Sequence, residues 1–191
     1  MLTNSQGAFL RVAAYAAAEC ERVTQVPAEQ TLAQAILESY WGARKPGNNC
    51  FGIKYVAKRH AEYQECETIE ILRREDMRTG DQILAELQDG RVKVRRMERF
   101  ATFPSLADCF TDHNWIISHG HSYRAAWQRY LNDAPVDREG AVIALMRRVA
   151  QVYATDSDYF SKLIRIISMP EVRDALAEAR MVDVPANGEA A

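Results

Sequence analysis

Long apolar runs are missing from this chain of 191 residues; nowhere do about eighteen apolar residues follow one another, so no membrane-crossing helix is expected. The stretch from Met1 to Ala18 is apolar, but no basic segment precedes it and Arg11 interrupts it. It is expected to form a helix of the folded protein and not a secretion signal. An excess of positive charge is missing too, and a formal net charge of −2 argues against a general binder of polyanions. The four cysteines, Cys20, Cys50, Cys66 and Cys109, show no short paired spacing. That fits neither a zinc site nor a disulfide framework, and reduced, packed thiols are expected. There is no Gly-rich phosphate loop and no Ser–His or Cys–His set in a recognisable context. His119-x-His121 follows a helix end without a third ligand placed beside it, which reads as a surface pair. No metal and no organic cofactor is expected.

What is present is enough apolar material, 48% of residues, for one domain to bury a core. Thr3-x-x-Gln6 has the form of a capping box, ahead of Phe9, Val12, Ala13, Ala16 and Cys20 at helical spacing. Between about residues 52 and 103 the period shortens to two: Ile69 and Ile71 alternate with Thr68 and Glu70. Asp89-Gly90, between two strand-like runs, predicts a two-residue hairpin, and Arg73–Ala85 is ambiguous between strand and partial helix. Arg91, Lys93 and Arg95 alternate with Val92 and Val94, which reads as a solvated strand face in preference to a nucleic-acid surface. Helices return at Ser105-x-x-Asp108, at Tyr123–Tyr130, after Asp137, after Asp156 or Ser157, and from Glu171 to about Arg180. Residues 184–191 read as a disordered tail, and 1–183 as a single domain. The fold class predicted is α+β, mainly α, with a small sheet.

The most informative stretch runs from Leu32 to Gly42, followed by Asn48 to Lys54. Pro27 is a good first-turn residue, Glu29 suits the positive end of a helix dipole, and Gly42 offers a stop, which predicts a helix over Pro27–Trp41. Glu38 then lies in the last turn, at the negative end of the dipole and among apolar neighbours. Both influences disfavour its ionised form and raise its pKa, as a general acid requires. A solvated helix glutamate is the plainer reading of the same residue.

Ala33, Gln34, Ala35, Leu37, Glu38, Ser39, Trp41 and Gly42, followed by Asn49, Phe51, Gly52, Ile53 and Lys54, resemble the two motifs of the glucosaminidase family of peptidoglycan hydrolases, which includes the flagellar rod-cap muralytic domain and several autolysins. The resemblance extends from Pro27 to about Ile167. It implies a lysozyme-like fold, with a cleft between a helical lobe and a β lobe, and an endo-β-N-acetylglucosaminidase acting on peptidoglycan. The family's catalytic acid maps onto Glu38. Its second carboxylate, on the β lobe, maps onto Glu70 in Thr68-Ile69-Glu70-Ile71, where Ile71 replaces an aromatic; Glu65, Glu67 and Glu75 compete for that role. Assistance by the substrate's own acetamido group would instead leave Glu70 a stabiliser. Tyr153 corresponds to the tyrosine lining the catalytic centre, Tyr123 falls near the cleft, and Tyr159 reads as structural. Trp41 and Phe51 either stack on sugar rings or belong to the core, and Asn49 either fixes the loop under the acid or meets the substrate.

The family's Phe-Arg-x-Tyr-x-Ser pattern is only partly present at Phe100–Ser105, which lacks the arginine and the tyrosine. Rival readings are an inactive wall-binding or assembly module of the same fold, and N-acetylmuramidase specificity. The basic strand face could also meet an anionic wall polymer. The implied partner is the peptidoglycan glycan strand, reached by a monomer through secretion or phage-lysis machinery, with no membrane insertion and no nucleic acid. Synthesis in the cytoplasm and action at the cell wall are expected.

Overall fold

A computed structural model describes residues 2–154 and 156–182; the stretch 184–191 lies outside the described residues. Seven α-helices and a three-stranded antiparallel sheet occur among them. Helix α1 (Asn4–Thr24) starts from Thr3, whose side chain accepts from the Gln6 N–H while the Gln6 side chain returns to the Thr3 N–H. Helix α2 (Ala28–Glu38) is buried nearly all round, Ala28 and Gln30–Ile36 included, so this helix sits inside the protein rather than on its surface. Leu32, Ala35 and Ile36 pack with Leu10, Ala13 and Ala17 of α1 in one core cluster. Ala33 packs with Leu145, Met146 and Leu163 in a second. Each such large aliphatic side chain contributes about 1.5–3 kcal/mol on burial.

The expected helix over Pro27–Trp41 is shorter at its C-terminal end. Ser39 caps it, its hydroxyl donating to the Ala35 carbonyl at 2.5 Å and accepting the Gly42 N–H at 2.8 Å. Tyr40, Trp41 and Gly42 then take φ of 50°, 59° and 78°, a left-handed turn that reverses the chain directly after Glu38. Gly42 is needed there twice over: its φ is positive, and a Cβ would lie 2.4 Å from the Phe9 ring.

The sheet consists of β1 (Tyr63–Arg73), β2 (Gln82–Glu86) and β3 (Arg91–Ala101), in the order β1-β3-β2. Strands β2 and β3 form the expected hairpin, but its loop is residues 88–90, one longer than the two-residue turn expected, closed by the Leu87 N–H on the Arg91 carbonyl at 2.8 Å. A short 3-10 turn at Arg74–Asp76 is the helical part of the ambiguous stretch. In the register Thr68 faces Arg96 and Glu70 faces Val94. Val92, Val94, Arg96 and Glu98 share the covered face; Arg91, Lys93, Arg95 and Arg99 share the exposed one. Three of the exposed cations are paired, Arg91 with Asp89 at 2.7 Å, Arg95 with Glu67 at 3.3 Å and Arg99 with Glu65 at 3.1 Å, which neutralises most of the expected basic face.

Helices α3 (Leu106–His119), α4 (His121–Asp133), α5 (Arg138–Tyr153), α6 (Tyr159–Ile167) and α7 (Pro170–Met181) complete the helical lobe. Ser105 and Asp108 form a capping box, and the Asp137 side chain accepts from the Gly140 N–H. Arg138 of α5 and Arg180 of α7 meet Glu21 of α1 and Glu29 of α2 in a four-membered ion cluster, with contacts of 2.6–2.9 Å. It ties four helices together at the end of α2 remote from Glu38.

Candidate active site

Glu38 is the last helical residue of α2 and is half-buried. Its Oε1 accepts a hydrogen bond of 2.5 Å from the Tyr159 hydroxyl, which in turn accepts from Gln34 Nε2 at 3.0 Å. Burial raises the Glu38 pKa above the ordinary carboxylate value of 4.5, and the Tyr159 hydrogen bond offsets part of that rise. The carboxyl forms part of the wall of a cavity of about 500 Å³ between the lobes. Arg44, Lys45 and Phe51 wall it from the loop after α2, and Cys66, Glu67 and Thr68 from β1.

The loop beneath the acid is fixed by Asn49. This residue is 1% exposed, and its amide donates to the carbonyls of Ile53 and Ala101 and accepts the Ile53 N–H, each at 2.9 Å. With those groups engaged it holds the loop to the sheet, the first of its two expected roles, while the residue also borders the cavity. Phe51 combines a place in the cavity wall with a place in the first core cluster. It is 7% exposed, stacks on His113 with centroids 3.8 Å apart and meets Phe110 at 5.4 Å, so most of its ring is engaged with the core. Trp41 is turned by the left-handed backbone onto the first core cluster and does not line the cavity beside Glu38, so it too is packing material.

Tyr153 ends α5 with its hydroxyl 3.3 Å from the Phe51 carbonyl, to which it donates. Its ring stacks on Tyr159 at 5.7 Å, and burial, with the charge of Glu38 added, pushes its pKa well up. It stands behind the acid and clamps the Phe51 loop. Tyr123 of α4 is half-buried beside it, and burial raises its pKa. The phenol that touches Glu38 is Tyr159, read from the sequence as structural. Gln30, Gln34 and Glu38, polar at i, i+4 and i+8 on an apolar helix, were the signal that one buried face of α2 required polar partners.

Glu70 lies on the strand face that also carries Cys66 and Thr68, one pair of residues beyond the cavity wall. Lys54 holds it at 3.0 Å, and the same ammonium lies 3.8 Å from Glu98. Glu67 does reach the wall, while Glu65 pairs with Arg99 and Glu75 with Arg73. Among the described residues no three His, Cys, Asp or Glu side chains are grouped so as to hold a metal ion. His119 stacks on Trp115 instead. Cys20, Cys50 and Cys109 are buried free thiols, and Cys66 is half-buried.

A half-buried carboxyl at the C-terminal end of a buried helix, facing a small antiparallel sheet across a cavity, is the arrangement of a lysozyme-like fold. Residues 14–171 match the family model for glucosaminidase, described as mannosyl-glycoprotein endo-beta-N-acetylglucosaminidase. The chain belongs to that family and is a glycoside hydrolase. The fold is also that of the catalytic domain of the autolysin Auto from Listeria monocytogenes, at TM-score 0.67 and 21% identity over 92% of this chain and 89% of that one. A mutant peptidoglycan hydrolase from Sphingomonas sp. A1 aligns at 0.58 and 25% identity, over 90% of this chain and 99% of that one. The truncated glycoside hydrolase domain of FlgJ from Salmonella typhimurium aligns at 0.58 and 21%, over 90% and 98%. No curated protein matches the chain in sequence.

Proposed function

We propose that this glycoside hydrolase cuts the glycan strand of peptidoglycan as an endo-β-N-acetylglucosaminidase, with Glu38 as general acid. The observation that carries the reading is the placement of Glu38: buried enough to raise its pKa, held by Tyr159, and set in the wall of the inter-lobe cavity. Such a carboxyl can protonate the leaving oxygen while positive charge grows at the anomeric carbon. Peptidoglycan as the substrate is supported by the likeness to the Listeria autolysin and the Sphingomonas hydrolase. Glu70 is the proposed second carboxylate, on the cleft-facing side of β1, and Tyr153 supports the acid by clamping the loop that walls its cavity. The substrate sets the place of work, the cell wall, and one chain supplies every group named, which fits a monomer.

The test is zymography on purified cell wall together with mass spectrometry of the products. Wild-type protein is expected to clear the wall and leave N-acetylglucosamine at the new reducing end. Glu38→Gln, confirmed as folded by its melting curve, is expected to lose about 10²–10⁴-fold in rate, the usual contribution of a positioned general acid. Full activity in that variant overturns the reading, and muramic acid at the reducing end overturns the specificity.

A further inference from the structure

The polar residues of α2 form a chain with one direction. Gln30 Nε2 donates to Gln34 Oε1 at 2.5 Å, Gln34 Nε2 donates to the Tyr159 oxygen at 3.0 Å, and Tyr159 donates to Glu38 Oε1 at 2.5 Å. Gln30 and Gln34 are fully buried. At the far end Gln30 Oε1 is buried without a partner, which is the consequence of running every donor towards Glu38. Glu38 Oε2 is not among the buried unpartnered atoms and belongs to a carboxyl that walls the cavity.

From this geometry we infer that Gln34 is a positioning residue for the reaction: by donating to Tyr159 it directs the tyrosine's hydrogen onto Glu38 Oε1, so the proton that Glu38 delivers is carried on Oε2. Oε1 remains the accepting oxygen in both protonation states. The acid therefore changes state without disturbing the chain behind it. Without Gln34 the phenol is free to turn, and either oxygen can carry the proton. The inference rests on Glu38 as the acid and assigns Gln34 and Gln30 no contact with substrate. A donor to the phenol oxygen also strengthens the phenol as a donor, because hydrogen bonds in a chain polarise one another.

The titratable groups around Glu38 are Tyr159 of α6 and Tyr153 of α5, with Arg44, Lys45 and Cys50 on the loop and Cys66 and Glu67 on β1. The test is the pH dependence of kcat/KM on a soluble glycan for Tyr159→Phe, Gln34→Leu and the double variant, with Glu38→Gln as reference. Tyr159→Phe is expected to move the alkaline limb up by about one pH unit, the effect of losing a hydrogen bond to a carboxylate. Gln34→Leu is expected to move it in the same direction by a few tenths of a unit, with kcat lowered and KM little changed. It is expected to add nothing in the Tyr159→Phe background, since it acts through that hydroxyl. A downward shift means the chain runs the other way, with the proton on Oε1, and overturns the inference. An unshifted limb in folded Gln34→Leu, or equal losses in both backgrounds, makes Gln34 a core residue and also overturns it. Gln34→Met keeps the side-chain volume; if neither Gln34 variant folds, the residue is structural and the inference fails. Loss of activity in Glu38→Gln with no shift in the Gln34 variants sinks this inference alone; activity retained in Glu38→Gln sinks the assignment of the acid beneath it.

Discussion

Glu38 stands under opposed influences, burial raising its pKa and the Tyr159 hydroxyl lowering it, and burial prevails. A general acid works only while protonated. Activity is therefore expected to hold as pH rises past 4.5, the ordinary carboxylate value, and to fall as pH passes through the raised pKa of Glu38. A rate profile for the wild type checks the sign. A limb at or below the ordinary value would mean that the chemistry uses another group. Gly42, four residues on, is the second residue on which the site depends. Gly42→Ala places a Cβ against the Phe9 ring at a positive φ, and a loss of about 1–3 kcal/mol is expected in denaturant unfolding. The same change displaces the turn that follows the acid, so activity is expected to fall along with stability.

At the scale of elements, α2 works from both ends. Its first turn is anchored by the ion cluster and its last residue is the acid. Burial pushes the Glu29 pKa up, but hydrogen bonds from Arg138 and Arg180 outweigh it and hold the carboxyl at about 2. The folded value lies below the ordinary 4.5, so the stabilisation is present above pH 4.5 and is lost as pH falls towards 2. His113 under Phe51 acts earlier: burial depresses its pKa from 6.5 to about 4, so protonation favours unfolding as pH falls through that interval. Melting temperature is thus expected to decline in two stages on acidification. His113→Phe should flatten the stage between 6.5 and 4, and Glu29→Gln the one between 4.5 and 2, each read by calorimetry. A single decline unchanged by either variant would contradict both.

For the molecule as a whole, the cavity exists because the β lobe is held against the helical lobe by a few buried polar contacts. Asn49 bonds the Ala101 carbonyl, Lys54 pairs with Phe100 of β3 in a β bridge, and Ala101 N–H meets the Ile53 carbonyl at 2.9 Å. The partner carboxylate is a question at this scale, because it depends on where β1 lies relative to α2. Glu70→Gln is expected to lower the rate about 10–100-fold, less than Glu38→Gln, while Glu67→Gln changes it only a few-fold. If the two β1 variants rank in the opposite order, Glu67 is the partner. Kinetics on a soluble glycan, with each variant's fold checked by circular dichroism, decide between them.

Local and short-range features of this protein were legible in its residues. The capping boxes at Thr3 and Ser105, a hairpin at Asp89-Gly90, the alternation of β1 and the start of α2 all depend on neighbours within a few positions. Glu38 could be singled out because a helix end and its dipole are local as well. The roles of Tyr153 and Tyr159 could not be separated in that way. They lie six residues apart near one helix junction, and which hydroxyl reaches a carboxyl more than a hundred positions earlier depends on how α5 and α6 pack on α2. The same holds for Phe51 and Asn49, whose groups face inward because of long-range partners such as His113 and Ala101. Periodicity records which side of an element is buried. What that side meets is settled only when distant segments close on one another, and there the acid acquires its phenol and its cavity.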